Sequence, residues 1–500
     1  MTTKYTLHNT ATATDTRALW RPASAVYFIG VGGAGMSALA KYCRYLGATV
    51  AGYDRTPSAL TKELEDVGVA IHYDDDTALI PPAFLPTPDA AGLPAPPPDT
   101  LIVYTPAVPA NHRELSFFRQ QGYHIVKRAR LLGEIAAGKA TLAVAGAHGK
   151  TTISAMIAHL LRQTGMGCSA FLGGRPKNYH SHLMMAPSPA LVVEADEFDR
   201  SFLQLFPLIA VVTSVDADHL DVYGTAAAVK RAYGDFIRQI RLGGTLILKQ
   251  GVDLSIGRRK QLDVRRYALD QACDFYASNI RRLDSGLLRF DLHLPDGTLT
   301  NCTLGVAART NVENAVAAVA AVWSYWQAYR LPPDFAGSVR RALASFRGVQ
   351  RRFDVQVNTP TRTYIDDYAH HPEELRATIA SLRETFPGRK ITGVFQPHLY
   401  SRTRDFAAAF AESLSGLDEL ILLDIYPARE APLPGVTSQL IFDRVALSQK
   451  QRCAAEDLLN LLRTKNVEVL VTFGAGDIDR LVQPIADWMN AAAAANNVDQ

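Results

Sequence analysis

Two short apolar runs in this sequence each lead straight into a glycine turn and then into an apolar helical stretch. Residues 26–30 (VYFIG) are followed by Gly32, Gly33 and Gly35 and a helix-like segment over 36–46. Residues 141–145 (TLAVA) are followed by Gly146-Ala147-His148-Gly149 and a helix-like segment from 151 to about 163. A β-branched run ahead of a glycine turn reads as a buried parallel strand. Two such units in one chain call for an α/β fold of the nucleotide-binding kind.

The rhythm continues between and beyond them. Strands are expected at 49–53, ending at Asp54, and at 101–104, 191–193, 209–213 and 244–248, with an Ala/Val-rich helix over 311–329. A third α/β rhythm starts near Arg351, with strands at 363–366, 390–395, 419–423 and 467–473. The chain's 500 residues exceed what one hydrophobic core spans. Three domains are expected: a Rossmann-like domain over 1–138, a central P-loop ATPase-type domain with a parallel sheet over 139–347, and a Rossmann-like domain over 348–500. The Pro- and Ala-rich stretch 81–98 reads as an exposed loop insertion, and the tail after Trp488 as a frayed end.

Composition excludes several classes. The formal net charge is +3, from 52 basic and 49 acidic residues, so nothing calls for a nucleic-acid or membrane partner. Cys43, Cys168, Cys273, Cys302 and Cys453 are scattered and never spaced C-x-x-C, against a disulfide framework or zinc site and for a reducing compartment. Residues 1–21 are polar and Thr-rich, without a signal peptide's apolar stretch, and no apolar run is long enough to span a bilayer. A cytoplasmic location is expected.

Gly30-Val-Gly32-Gly33-Ala34-Gly35, ahead of Met36, fits G-x-G-x-x-G between strand and helix. In that pattern Gly30 permits the tight turn, Gly32 lets the backbone approach a pyrophosphate, and Gly35 permits close helix–strand packing. Asp54 falls where an acidic residue would meet a ribose hydroxyl. NAD, a UDP-sugar and a turn with no ligand all satisfy the pattern.

Gly146-Ala147-His148-Gly149-Lys150-Thr151-Thr152 ends in the G-K-[ST] of a phosphate loop, but has two residues between the glycines where the general pattern has four. The local physics still suits a nucleoside triphosphate. Backbone amides cradle phosphates, Lys150 cancels their charge, and the Thr151 hydroxyl can ligate Mg²⁺.

Further candidates follow strand ends. Glu194-Ala-Asp196-Glu197 supplies hard oxygens for Mg²⁺, and His219 sits among Asp216, Asp218 and Asp221. Asn311 and Asn314 share a helix face, suited to an adenine edge or to capping. Arg351-Arg352 stands at the presumed joint, where a guanidinium could reach a γ-phosphate as domains close. Asp366-Asp367-Tyr368-Ala369-His370-His371-Pro372 is a polar cluster after a strand.

Taken in order, GVGGAGMSALA (30–40), GAHGKTT (146–152), EADEFDRSF (194–202), DADHLD (216–221), TNVENA (310–315), GVQRRF (348–353), DDYAHHPEEL (366–375), FQPHLYSRT (395–403) and GAGDI (474–478) resemble the Mur ligases of peptidoglycan precursor synthesis along nearly the whole chain. The resemblance is strongest to the member that joins L-alanine to the lactyl carboxylate of UDP-N-acetylmuramate. It implies UDP-binding, ATPase and amino-acid-binding domains in that order, with ATP as co-substrate, two Mg²⁺ ions, and a monomer or homodimer. By resemblance, Gly30, Gly32, Gly33, Ala34, Gly35, Met36 and Asp54 hold the UDP-substrate. Residues 146–152, Asn311, Asn314, Arg352 and Asp367 hold ATP. Thr151, Glu194 and His219 meet metal. Tyr368, His370 and Arg402 line the amino-acid end, and Lys150, His219, Arg352 and His370 are the catalytic set. Ala147 replaces a usual Thr, Thr310 a common His, and Leu399 a usual Arg. Lys230 is the candidate for the lysine that some relatives carbamylate. The rival readings are a ligase adding a recycled peptide or D-glutamate, an NAD-dependent oxidoreductase, and a catalytically silent nucleotide-binding partner.

Overall fold

The computed structural model describes residues 23–88, 92–216, 220–257, 261–329, 334–428 and 430–496. Three large sheets follow one another along the chain. The first is parallel and five-stranded. Its centre is Ala25–Ile29, flanked on one side by Thr49–Tyr53 and Ala70–His72, and on the other by Thr100–Tyr104 and His124–Lys127. The reversal of strand order beside Ala25–Ile29 places the first glycine turn at the crevice where ligands of such sheets bind.

The second sheet has ten strands and departs from the parallel expectation. Its parallel part carries Ala140–Ala145 between Ala190–Glu194 and Ile209–Val212, then Thr245–Lys249 and Asp263–Ala268. Phe275–Arg282, Leu288–Leu294 and Gly297–Leu304 then extend it as an antiparallel meander. The alternation Leu288-Arg289-Phe290-Asp291-Leu292-His293 buries its apolar members and leaves the polar ones partly exposed, the period-two signature of a half-covered strand. The third sheet has six strands, with parallel neighbours Thr363–Asp367, Val469–Phe473, Ile391–Phe395, Glu419–Leu422 and Lys450–Arg452, and an antiparallel edge strand Asp354–Asn358.

Two expectations are corrected. The stretch 81–98 is not wholly an exposed loop: Phe84 is 1% exposed and packs on Tyr27 and its neighbours beneath the first sheet. The stretch after Trp488 is not frayed as far as Asn496: helix Val482–Asn496 runs through it and packs Ile485, Ala486 and Met489 into the third domain's core.

The joints differ in kind. One apolar cluster runs from the first sheet into the second. Leu131, Leu132 and Ile135 of helix Arg128–Ala137 meet Phe202 and Leu205, and Tyr42 packs its ring on Phe171. A shared core of this kind favours one body over two hinged ones. The third domain is tied on by polar contacts: the Gln350 amide donates to the Arg175 carbonyl (2.9 Å), the Lys177 amide to Gly348 (2.9 Å), and Lys177 Nζ pairs with Asp354 (2.7 Å). In this linker Gly348, Arg351 and Phe353 all take positive φ, at 86°, 60° and 46°.

Candidate active site

The phosphate loop joins strand Ala140–Ala145 to helix Lys150–Gln163. Its tightness explains the two glycines. A Cβ at Gly146 (φ 129°) would lie 2.1 Å from Thr213 Oγ1, and one at Gly149 (φ 79°) 2.9 Å from Asn314 Oδ1. Hydrogen bonds from neighbouring strand ends brace the loop. The Ala147 amide donates to Ser214 Oγ (3.0 Å), and Thr213 Oγ1 donates to the His148 carbonyl (2.6 Å). The helix N-terminus behind it offers free amides and a positive dipole end to phosphates.

Lys150, its side chain 14% exposed, is bonded to the Gly146 carbonyl (2.8 Å) and both oxygens of Glu197 (2.8 and 2.9 Å). Burial lowers its pKa, but Glu197, Asp196 and Glu194 outweigh that and keep the ammonium protonated. The sequence offered Glu197 with Glu194 and Asp196 as a Mg²⁺ oxygen donor; the structure instead directs both of its oxygens to Lys150. The Thr151 hydroxyl donates to Glu194 Oε1 (3.1 Å), and the Gly173 amide to Glu194 Oε2 (3.1 Å). A hydroxyl and a carboxylate at a phosphate loop are hard oxygen donors of the kind Mg²⁺ takes. Among the described residues no group of three or more His, Cys, Asp or Glu could hold a metal unaided. His219, expected at a metal, lies outside the described residues, as does Asp218.

Around this centre lies a cleft of about 740 Å³ lined by all three domains: Ala34 and Leu60 from the first; Lys150, Thr151, Glu194 and Asp196 from the second; Arg352, Tyr368, His370 and Glu374 from the third. The size suits a small-molecule site. Arg351 and Arg352 flank the Tyr368 ring at 5.2 and 5.1 Å, and Arg352 lies 3.7 Å from Glu374. Glu374 also accepts the His370 and His371 amides (2.9 and 3.2 Å). Burial alone would raise Glu374, yet the His370 and Arg352 charges hold it at about 2. Burial pushes His370 below its ordinary value against Glu374, and its Nδ1 lies 3.0 Å from the Tyr368 carbonyl. That contact needs a proton on Nδ1 and leaves the lone pair on Nε2. Burial raises Asp367 to about 6 against the Arg352 charge and the Ala369 and Phe353 amides, which it accepts at 2.9 Å each. His148 pairs with Asp216 at 3.3 Å; burial lowers its pKa, but Asp216 and Glu374 outweigh that and raise it.

The first glycine turn is built differently from its sequence reading. Asp54 accepts the Gly32 amide (2.7 Å), and its carboxylate fills the space a Gly32 side chain would take. A Gly35 side chain would meet Arg128 Nη1 at 2.8 Å, so Gly35 makes room for a cation and not for a strand. Arg128, missed in the sequence, thus stands over the start of helix Ala34–Tyr45, where a diphosphate would lie. Gly30 turns at φ 85° with its amide on the Tyr53 carbonyl (2.8 Å), while a Gly33 side chain would meet open space. Met36 is 2% exposed in the core, so only its backbone can meet a ligand.

Asn314 sits against Gly149 at the phosphate loop and donates to Asn311 Oδ1 (3.4 Å), while the Asn311 side-chain amide donates back to the Ala307 carbonyl (2.8 Å). Arg402 stands in the first turn of helix Tyr400–Leu414, outside the cleft lining; its charge reaches His370. Leu399, just before that helix, takes φ 72°. Lys230 pairs with Asp253 and lines a different groove, which removes it as a carbamylated lysine at the phosphate site.

Comparison with known proteins bears on this arrangement. The Mur ligase family catalytic domain profile matches residues 25–140, the Mur ligase middle domain 144–322, and the Mur ligase glutamate ligase domain 351–476. A UDP-N-acetylmuramate–L-alanine ligase of Parabacteroides distasonis is 50% identical over 93% of this chain and 97% of its own length. One from Porphyromonas gingivalis is 48% identical over 93% and 98%. Among solved structures, a UDP-N-acetylmuramate-alanine ligase from Thermotoga maritima aligns with TM-score 0.74 and 24% identity, over 93% of this chain and 99% of that one. A murein peptide ligase from Psychrobacter arcticus aligns with TM-score 0.64 and 20% identity, over 92% and 98%. Those two likenesses are of fold alone. With three domain profiles matched in order and relatives near half identity along nearly its whole length, this chain belongs to the Mur ligase family.

Proposed function

We propose that this chain is an ATP-dependent ligase that joins L-alanine to the lactyl carboxylate of UDP-N-acetylmuramate in peptidoglycan precursor synthesis. The observation that carries the reading is the shared cleft, in which the phosphate loop faces the first glycine turn on one side and Arg352, His370 and Glu374 on the other. An NAD-dependent oxidoreductase has no use for a second phosphate loop beside acidic metal donors. A silent partner has no use for an intact Lys150 and Glu194. The relatives' shared name favours L-alanine over a recycled peptide or D-glutamate.

The domains divide the work, with residues 1–138 for the UDP-substrate, 139–347 for ATP and 348–500 for the amino acid. Gly32, Gly33 and Ala34 and the helix behind them receive the diphosphate, with Arg128 as countercharge and Asp54 towards the ribose. Residues 146–152 cradle the β- and γ-phosphates, Lys150 exchanging Glu197 for phosphate oxygens, with Asn311, Asn314 and Asp367 towards the rest of the nucleotide. Thr151 and Glu194 would hold Mg²⁺, with His219 as donor to a second ion; bound there, the metal supplies charge neutralisation at the phosphates. The carboxylate oxygen forms a bond to the γ-phosphorus as ADP leaves. The neutral amine of L-alanine then forms the C–N bond, loses a proton, and inorganic phosphate departs. Arg352 offsets charge on the transferring phosphoryl group. His370 Nε2, unprotonated near neutral pH, accepts the amine's proton. Tyr368 and Arg402 bound the amino-acid end. Among the described residues no helix is long and apolar enough to cross a membrane, in keeping with the cytoplasmic site of soluble nucleotide substrates.

Lys150→Ala tests this reading. Amide formation is expected to fall at least about a thousandfold, in line with loss of a transition-state countercharge, while calorimetry still detects UDP-N-acetylmuramate binding. Full activity in that variant would contradict it.

A further inference from the structure

Arg175 takes part in none of these steps, yet it lines the catalytic cleft with its side chain three-quarters buried. Its backbone is held from several sides. The two glycines before it admit close neighbours: a Cβ at Gly173 would meet Glu194 Oε2 at 2.3 Å, and one at Gly174 would meet Val349 and Thr151 methyls at 2.7 and 2.8 Å. The Arg175 carbonyl accepts the Gln350 amide (2.9 Å). The residue therefore stands at a fixed place between the phosphate loop and the first domain.

Its guanidinium reaches across to Glu63 Oε1 of helix Ala59–Glu65. The other oxygen, Glu63 Oε2, is taken by Lys41 Nζ at 2.6 Å, on the helix that begins at the first glycine turn. Two cations share one carboxylate, so the trio keeps one positive charge over. Lys41 is outside the cleft lining and Arg175 is within it, so that charge is presented to the cleft at Arg175.

An anion must lie there if the proposed function holds, and this inference rests on that reading. UDP-N-acetylmuramate carries a diphosphate and a carboxylate. The diphosphate already has a helix N-terminus and Arg128. The carboxylate must lie between the first glycine turn and the phosphate loop to reach the γ-phosphate, and Arg175 is in that interval. A planar guanidinium is suited to a carboxylate, which it can engage with two parallel hydrogen bonds. We infer that Arg175, poised by the Glu63–Lys41 pair, binds and orients the lactyl carboxylate of the UDP-substrate and so separates it from UDP-sugars that lack one.

Calorimetric binding of UDP-N-acetylmuramate and UDP-N-acetylglucosamine, the second lacking the lactyl group, to wild type and to Arg175→Leu tests this. The variant is expected to bind UDP-N-acetylmuramate about tenfold or more weakly, the scale of a charge-assisted hydrogen bond, and UDP-N-acetylglucosamine within about twofold of wild type. Arg175→Lys, which keeps the charge, is expected to fall between. Retained UDP-N-acetylglucosamine binding also shows that the variant folds. Equal weakening of both ligands, or of neither, would overturn the inference. Should Arg175→Leu not fold, equal losses of the two ligands in Arg175→Lys would overturn it, and a loss confined to UDP-N-acetylmuramate would support it. Failure of wild type to bind UDP-N-acetylmuramate at all would instead count against the proposed function.

Discussion

Asp367 shows how a buried acid becomes a pH-sensitive part of the site. Its folded-state pKa, about 6, lies above the ordinary carboxylate value because burial outweighs Arg352 and the two amides it accepts. Protonation therefore favours the fold: this contribution is fully present below the unfolded value of about 4 and is lost as pH rises through about 6. Activity follows the opposite sign, because only the ionised form accepts from both Phe353 and Ala369 and balances Arg352. The pH profile of kcat/KM is expected to climb through an acid limb near 6, and Asp367→Asn to be less active, keeping only the limb that titration of His370 supplies. An unchanged limb in the variant would assign it to another group. Sequence made such residues legible where the chemistry is local to a motif, as at Lys150 and Thr151. It left Arg128 and Arg175 without roles, and missed that Glu197 pairs with Lys150, because these partners are brought together only by the packed sheets.

At the scale of elements, strands buried on both faces were legible as β-branched runs, and those at 49–53, 209–212 and 363–367 appear within a residue of their expected ends. The antiparallel meander over 275–304 was not read, although Leu288–Leu294 alternates cleanly, because its neighbours Phe275–Arg282 and Gly297–Leu304 mix polar residues into both faces. Helix Arg128–Ala137 holds the first two domains together, and Gly133 is its closest approach: a Cβ there would lie 2.4 Å from the Gln204 carbonyl and 3.1 Å from Gln204 Cβ. Backbone on both sides leaves little to yield. Gly133→Ala is expected to cost about 1–3 kcal/mol through overpacking, against the small gain alanine brings to an open helix. Thermal denaturation reads this directly; a variant as stable as wild type would show that the two elements can part.

The whole molecule joins a rigid pair of domains to a third held by a polar linker. The third domain is tied on there by backbone hydrogen bonds and the Lys177–Asp354 pair, with three residues of the linker at positive φ. That asymmetry suits the proposed reading, in which the third domain closes over the first two and shields an acyl phosphate from water. The succession of three sheets along the chain was legible from the strand–turn–helix units. The continuous core across the first joint was not, since apolar residues on the outer face of one sheet carry no mark of which neighbour they cover. The most direct test of the ligase assignment is phosphate release from ATP by the purified protein in the presence of UDP-N-acetylmuramate, with L-alanine, L-serine, glycine, D-glutamate and the recycled tripeptide offered in turn. The expected result is release that depends on both UDP-N-acetylmuramate and the amino acid and is fastest with L-alanine. Release supported best by D-glutamate or the tripeptide, or independent of the UDP-substrate, would contradict it.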